Sequence, residues 1–308
     1  MHPMIVDTDT ASDDAVALIM AARHPDVALA GVTTVAGNCN VDQATANALY
    51  TLELCGANVP VFRGSERPLL MPAEYATWFH GDDGLGDRGY PPPKTSPESE
   101  PGMSALVQLV RENPGCVLVT LGPLTNVAIA LHQAPDIIPL IDRCVVMGGT
   151  ANLVGNVTPA AEFNLWFDPH AAAMVFDSDL NIEMVGWELC RGEAGLSASE
   201  QAELRAVGTE RAAFILDCNT TAIEAIRRQS GARTLELPDP TAMAVALEPD
   251  IVVTSSSRHH VSIEYVSPLT RGMSVVDSLD VTGLVANTTI IRTIDVARFK
   301  EMVFEAAR

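Results

Sequence analysis

Basic residues are scarce: 19 Lys+Arg stand against 39 Asp+Glu in 308 residues, a formal net charge of −20. Such a chain repels phosphate backbones and anionic headgroups, which argues against nucleic acid and membrane surfaces as partners and favours cations. Charged residues of both signs make up only 19% and aromatics 5%, while apolar residues reach 47%, enough for a packed core and too much for a disordered chain. No apolar run nears the roughly 20 residues a membrane span needs; Cys144–Met147 typifies the longest. Cysteine pairs at redox or metal spacing are missing, and the six cysteines sit singly, most in apolar runs, as reduced core thiols do. Met1-His2-Pro3-Met4 leads straight into a strand-like segment with no basic or long apolar targeting stretch, so a cytoplasmic location is expected. Repeats and low-complexity tracts are absent.

What is present is alternation. Met4–Val6, Ala28–Val35, Val59–Phe62, Cys116–Leu121, Arg143–Met147 and Ile182–Val185 read as strands by apolar continuity and branched content. Between them, Asp14–Arg23, Val41–Cys55, Met103–Glu112, Leu124–His132 and Asp168–Phe176 carry helical spacing. This order predicts an α/β fold: a single domain over 1–308, with an open, mostly parallel sheet and helices on both faces. The stretch 67–102 breaks the rhythm with Pro91-Pro92-Pro93 and the glycine-rich His80–Gly86. A long internal segment of this kind that also holds Trp78 and Phe79 reads as a lid. After Ser197 the pattern is helical to about Arg228, and a mixed tail follows.

Chemistry concentrates where the first strand ends. Asp7-Thr8-Asp9-Thr10-Ala11-Ser12-Asp13-Asp14 puts four carboxylates into eight residues. A helix N-terminus stabilises Asp13 and Asp14 by about 0.3–1 kcal/mol each, which leaves Asp7 and Asp9 unexplained without a cation. All-oxygen ligation favours a hard ion, and a high carboxylate count favours Ca²⁺. Ala36-Gly37-Asn38, Leu121–Asn126 and Met147-Gly148-Gly149 each follow a predicted strand, where ligands of open α/β sheets collect. Gly155-Asn156, Glu162-Phe163-Asn164 and Pro238-Asp239-Pro240 come later. Asn and Glu side chains held in place suit the hydroxyls of a sugar.

In this order the motifs resemble the nucleoside hydrolase family, metal-dependent enzymes that cleave the N-glycosidic bond of ribonucleosides. The matching residues include Asp7-Thr8-Asp9 with Asp13-Asp14, Ala36-Gly37-Asn38, His80-Gly81, Gly122–Asn126, Met147-Gly148-Gly149, Gly155-Asn156, Pro159–Asn164 and Asp239-Pro240. The resemblance implies one Ca²⁺ per subunit, ligated by Asp9, Asp14 and Asp239 and by the main-chain carbonyl of Leu121, where the family often has Thr. It places Asp13, Asn156, Glu162 and Asn164 on the ribose hydroxyls with Asn38 close by, and Met147, Phe163 and His80 around sugar and base. Asp9 would be the general base toward the attacking water, since Ca²⁺ acidifies water less than Zn²⁺ does. A homodimer or homotetramer and a role in purine or pyrimidine salvage also follow from the resemblance.

Some positions depart from the family pattern. Family members that use a general acid place His immediately before the last Asp ligand, and here that position is Pro238. His80, Glu188 and Arg228 are candidate substitutes, and Trp78, Trp166 or Trp187 could stack on the base. Ala11 stands where Gly is usual, which would be costly if the turn needs positive φ. Gly186–Cys190 replaces a Gly-Leu-Asp pattern, with Cys190 read as an inert core thiol. Two rival readings are a non-catalytic nucleoside or sugar binder, motivated by Pro238, and a haloacid-dehalogenase-type phosphatase, motivated by Asp7-Thr8-Asp9-Thr10. The second lacks a Lys-bearing motif in the expected context and leaves Asp13 and Asp14 unused.

Overall fold

Strands whose side chains are apolar on both sides must be covered on both sides, and the first strand shows how this is met. In the computed structural model, which describes residues 2–152 and 154–308, Met4 and Val6 pack into one hydrophobic cluster and Ile5 into another on the opposite face. The strands of the main sheet are β1 His2–Thr8, β2 Val27–Thr34, β3 Val61–Arg63, β4 Cys116–Thr120, β5 Ile141–Met147, β6 Ile182–Val185 and β7 Val253–His259. A hairpin follows, β8 Val261–Ile263 with β9 Ser274–Val276, and β10 Thr288–Ile294 returns to the sheet. The sheet has eight strands in the order β3-β2-β1-β4-β5-β6-β10-β7. All pairings are parallel except that of β10 with the edge strand β7.

Helices Ser12–Arg23, Val41–Leu54, Pro238–Leu247 and Val296–Ala307 cover one face, and Gly102–Glu112, Thr125–Gln133 and Pro169–Phe176 the other. Each strand and helix predicted up to Val185 is present, with ends shifted by at most two residues. The helical region after Ser197 is three helices, Ala198–Ala206, Glu210–Cys218 and Thr220–Ser230. Among the described residues no helix is long and apolar enough to cross a membrane.

The strand order reverses direction between β1 and β4, since the chain first winds outward to β3 and then crosses back. Loops leaving the carboxyl ends of two such neighbours diverge to opposite faces and open a crevice between them. The loops after β1, β2, β4 and β5 meet at this crevice. Asn126, in the first turn of helix Thr125–Gln133, ties the ends of β1, β2 and β3 together: its Nδ2 donates to Asp7 Oδ1 at 2.7 Å and to the Thr34 carbonyl at 2.9 Å, and its Oδ1 accepts from the Ser65 amide at 2.8 Å. Ala11 has φ −110° and ψ −156°, ordinary extended backbone, so alanine fits there as well as glycine would.

Candidate active site

The four aspartates between the end of β1 and the first turn of helix Ser12–Arg23 are all buried, but they do different work. Asp7 is structural: Thr33 Oγ1 donates to it at 2.5 Å and Asn126 at 2.7 Å, and burial pushes its carboxyl up to about 6. Asp14, in the first turn of helix Ser12–Arg23, accepts from Thr8 Oγ1 at 2.5 Å and from the Ala11 amide at 2.9 Å. Asp9 accepts the Asn38 amide on Oδ2 at 2.5 Å, while its Oδ1 is buried with no partner. Asp13 also carries a buried Oδ1 without a hydrogen bond.

From the other half of the chain, Pro238 and Asp239 open helix Pro238–Leu247. Proline suits the first helical position because its φ is preset and its missing N–H would have no partner there. One carboxylate oxygen from each of Asp13, Asp14 and Asp239 lies within 4.8 Å of the others. Burial, followed by repulsion from Asp14, holds Asp9 well above the usual carboxylate range. Asp239 is raised well above it by burial and then by Asp13, Asp14 and Asp9, and burial pushes Asp13 up to about 6. Mutual repulsion among buried carboxylates, orphaned oxygens and an all-oxygen donor set fit a divalent cation. The tightest three-carboxylate group contains Asp13 where the resemblance implies Asp9. Asp9 adds its repulsion to Asp239 of that group, and Gly37 and Gly122 enclose it: a Cβ at Gly37 would sit 2.0 Å from Asp9 Oδ2, and one at Gly122 would sit 2.6 Å from Oδ1.

Above the acids lies a cleft of about 660 Å³, its open mouth included. Asp13, Asn38, His80, Leu121, Met147, Asn156, Glu162, Phe163, Asn164 and Asp239 all line it, whereas Asp9 and Asp14 are fully buried and do not. Asn164 Nδ2 donates to the Leu121 carbonyl at 2.7 Å and to the Met147 carbonyl at 3.2 Å. That leaves Leu121 a second lone pair for another partner. Glu162 caps the short helix Phe163–Phe167, accepting from the Asn164, Leu165 and Gly149 amides. Burial still pushes its carboxyl up to about 7. Asn156 Oδ1 accepts the Phe163 amide at 2.9 Å.

The 67–102 segment reaches the cleft through helix Thr77–His80, anchored where the Ala76 amide donates to the Asn38 carbonyl at 3.0 Å. Ala76, Trp78, Phe79 and His80 form one wall. His80 pairs through Nδ1 with Ser12 Oγ at 2.9 Å, and burial lowers its imidazole to about 4, so it is neutral at pH 7.

Of the three candidate proton donors named from the sequence, only His80 lines the cleft. Glu188 turns Oε1 to the Ala151 amide at 2.9 Å, and Arg228 is largely exposed beside Glu224. Trp166 is covered instead by Arg271, whose guanidinium carbon stands 4.2 Å from the ring centroid. Trp187 does line the cleft. Cys190 is buried, its thiol donating to the Trp187 carbonyl at 3.1 Å and pushed well up by burial, as an inert core thiol should be. Phe79, Val157, Gln229 and Glu236 also line the cleft and carry no recognisable motif. A polar or aromatic residue at an element end near Asp239 was the one available signal for Gln229 and Glu236.

A family model for inosine-uridine preferring nucleoside hydrolases matches residues 4–301. The pyrimidine-specific ribonucleoside hydrolase RihA of an Enterobacter species is 35% identical over 98% of this chain and 96% of its own. The inosine-uridine preferring nucleoside hydrolase of Leishmania major is 36% identical over 89% of this chain and 87% of its own. Among solved structures, a plant nucleoside hydrolase superposes with a TM-score of 0.93 at 26% identity, covering 99% of this chain and 98% of that one. The purine-preferring ribonucleoside hydrolase of Gardnerella vaginalis gives 0.91 at 29% identity, with the same coverage. The chain belongs to the inosine-uridine preferring nucleoside hydrolase family. It is an enzyme, an N-glycosyl hydrolase of the ribonucleoside class.

Proposed function

We propose that the enzyme splits ribonucleosides into ribose and free base with one Ca²⁺ per subunit, held by the carboxylates of Asp9, Asp14 and Asp239 and the main-chain carbonyl of Leu121. The observation that carries this reading is Asp9 itself: a fully buried carboxylate with one oxygen fixed by the Asn38 amide and the other unpartnered, beside three more acids. When bound, the ion supplies a positive charge that orients and polarises the attacking water. Asp9 takes the proton this water gives up, through the carboxylate oxygen that has no partner in the protein.

Asp13, Asn156, Glu162 and Asn164 hold the ribose hydroxyls, with Asn38 beside them and Met147, Phe163 and His80 bordering sugar and base. Breaking the bond to the anomeric carbon develops oxocarbenium character, which an anionic rim stabilises. Asp13 meets both requirements: it stands with Asp14 and Asp239 and also lines the cleft. The 67–102 segment serves as a lid that excludes water, with Trp78 at its moving edge, more than half exposed. The protein works as a cytoplasmic homodimer or homotetramer in purine or pyrimidine salvage.

The test is ribose released from a panel of purine and pyrimidine ribonucleosides, by the wild type and by Asp9→Ala. Release by the wild type and its loss in a folded variant support the reading. Full activity in Asp9→Ala would sink the proposed base.

A further inference from the structure

Pro238 stands where the family resemblance leads one to expect a proton-donating imidazole, and the cleft offers a different proton donor. Among the described residues lining it, the ionisable side chains are Asp13, His80, Glu162, Glu236 and Asp239. Asp13 and Asp239 belong to the carboxylate group that a cation would occupy. Both oxygens of Glu162 accept backbone N–H groups. His80 faces Ser12 through Nδ1 and packs its ring edge-on against Phe79, with burial holding it unprotonated.

Glu236 differs on each count. Its segment is extended, bridged at Leu235 to Leu196, and side chains alternate along it. Leu235 and Leu237 pack into the core, and Glu236 and Pro238 face the cleft. The charged group that acts on its carboxyl is Arg191, whose Nε lies 3.9 Å from Oε2, and Glu236 in turn helps to push up the buried thiol of Cys190. Arg191 in turn lies over the Trp187 ring, 5.2 Å from its centroid. Trp187 lines the same cleft, and its buried indole N–H has no partner.

We propose that Glu236 is the acid that protonates the departing base, with Arg191 and Trp187 as the residues that position it. This rests on the reading of the chain as an active ribonucleoside hydrolase. As the bond between the anomeric carbon and the base nitrogen breaks, its electron pair passes to the base and the Glu236 carboxyl proton follows. The water oxygen bonds to the anomeric carbon and its proton goes to Asp9. Ribose and neutral base leave, and the two carboxyls return to their starting states by exchanging one proton through solvent. Burial pushes the Glu236 carboxyl up while Arg191 pulls against it, so it holds a proton closer to neutrality than an exposed glutamate does.

Glu236→Gln preserves size and hydrogen bonding but has no proton to transfer. The experiment compares kcat on uridine or inosine, whichever the wild type cleaves faster, with kcat on p-nitrophenyl β-D-ribofuranoside, whose leaving group needs no protonation. The expected loss on the nucleoside is about 10²-fold or more, with less than a tenth of that factor on the activated riboside. The alkaline limb of the nucleoside pH profile disappears with it. In Arg191→Met the same limb moves to higher pH, because a cation that lowers the acid's pKa is gone. Equal losses on both substrates, no loss on the nucleoside, or a retained alkaline limb would overturn the proposal. Wild-type failure on both substrates would instead overturn the hydrolase reading on which it rests.

Discussion

The amide of Asn38 donates to Oδ2 of Asp9 at 2.5 Å, so the loop after β2 fixes one oxygen of the buried acid that opens the loop after β1. A carboxylate that is half fixed and half unpartnered can keep its orientation while its other oxygen changes partner. The surrounding backbone is what makes this possible, since Gly37 and Gly122 approach it where no side chain could fit.

Gly37→Ala tests that enclosure. The added methyl would sit 2.0 Å from Asp9 Oδ2 and 2.7 Å from Pro123 Cδ, so Asp9 must move. A displacement of about 1 Å at a reacting group can cost on the order of 10²-fold in rate. The expected result is such a loss in kcat/KM in a protein that still folds, read from kinetics together with circular dichroism. Unchanged kinetics would mean that the position of Asp9 is not critical.

Asn126→Ala removes three hydrogen bonds at once and leaves the buried Asp7 with Thr33 as its remaining side-chain donor. Leaving buried polar groups unpaired costs about 1–3 kcal/mol each, so urea denaturation should show a loss of roughly 3 kcal/mol or more. Activity per folded molecule should fall as well, because the same side chain ties the loops that form the cleft floor. A loss under about 1 kcal/mol would contradict the anchoring role.

These two residues mark how far the sequence could be read. The six strands up to Val185 were legible because apolar residues fill both faces, and the acidic cluster because its charge density has few bland explanations, whereas β10 lay in a stretch read only as a mixed tail. Asp7 and Asp9 look alike in sequence, yet one is satisfied by Thr33 and Asn126 and the other is open. That difference depends on a partner 119 residues away. Strand β7 was missed because Thr254-Ser255-Ser256-Ser257-Arg258 is a polar edge strand with no apolar period. Gln229 and Glu236 were missed because ordinary polar residues acquire a role only when tertiary packing turns them toward the cleft.

Stability in the absence of metal should depend on pH in an unusual direction. Asp7 and Asp13 rise from 3.8 to about 6, and Glu162 from 4.5 to about 7, so the folded chain holds protons that the unfolded chain has released. Stability therefore falls as pH rises between about 4 and 7, by on the order of 3 kcal/mol per group. The chelated protein should show a urea midpoint that declines from pH 5 to pH 7.5. Added Ca²⁺ should raise that midpoint more at pH 7.5, where the carboxylates are free to ligate, than at pH 5. A chelated protein that gains stability across this range would contradict the account.

The most direct test of the cation site is a titration of chelated protein with Ca²⁺, reading bound ion and released ribose on the same sample. The account predicts no ribose without the ion and activity that rises to saturation at one Ca²⁺ per chain, with Asp239→Asn losing both ion and activity. Full ribose release by protein shown to be free of divalent metal would contradict it.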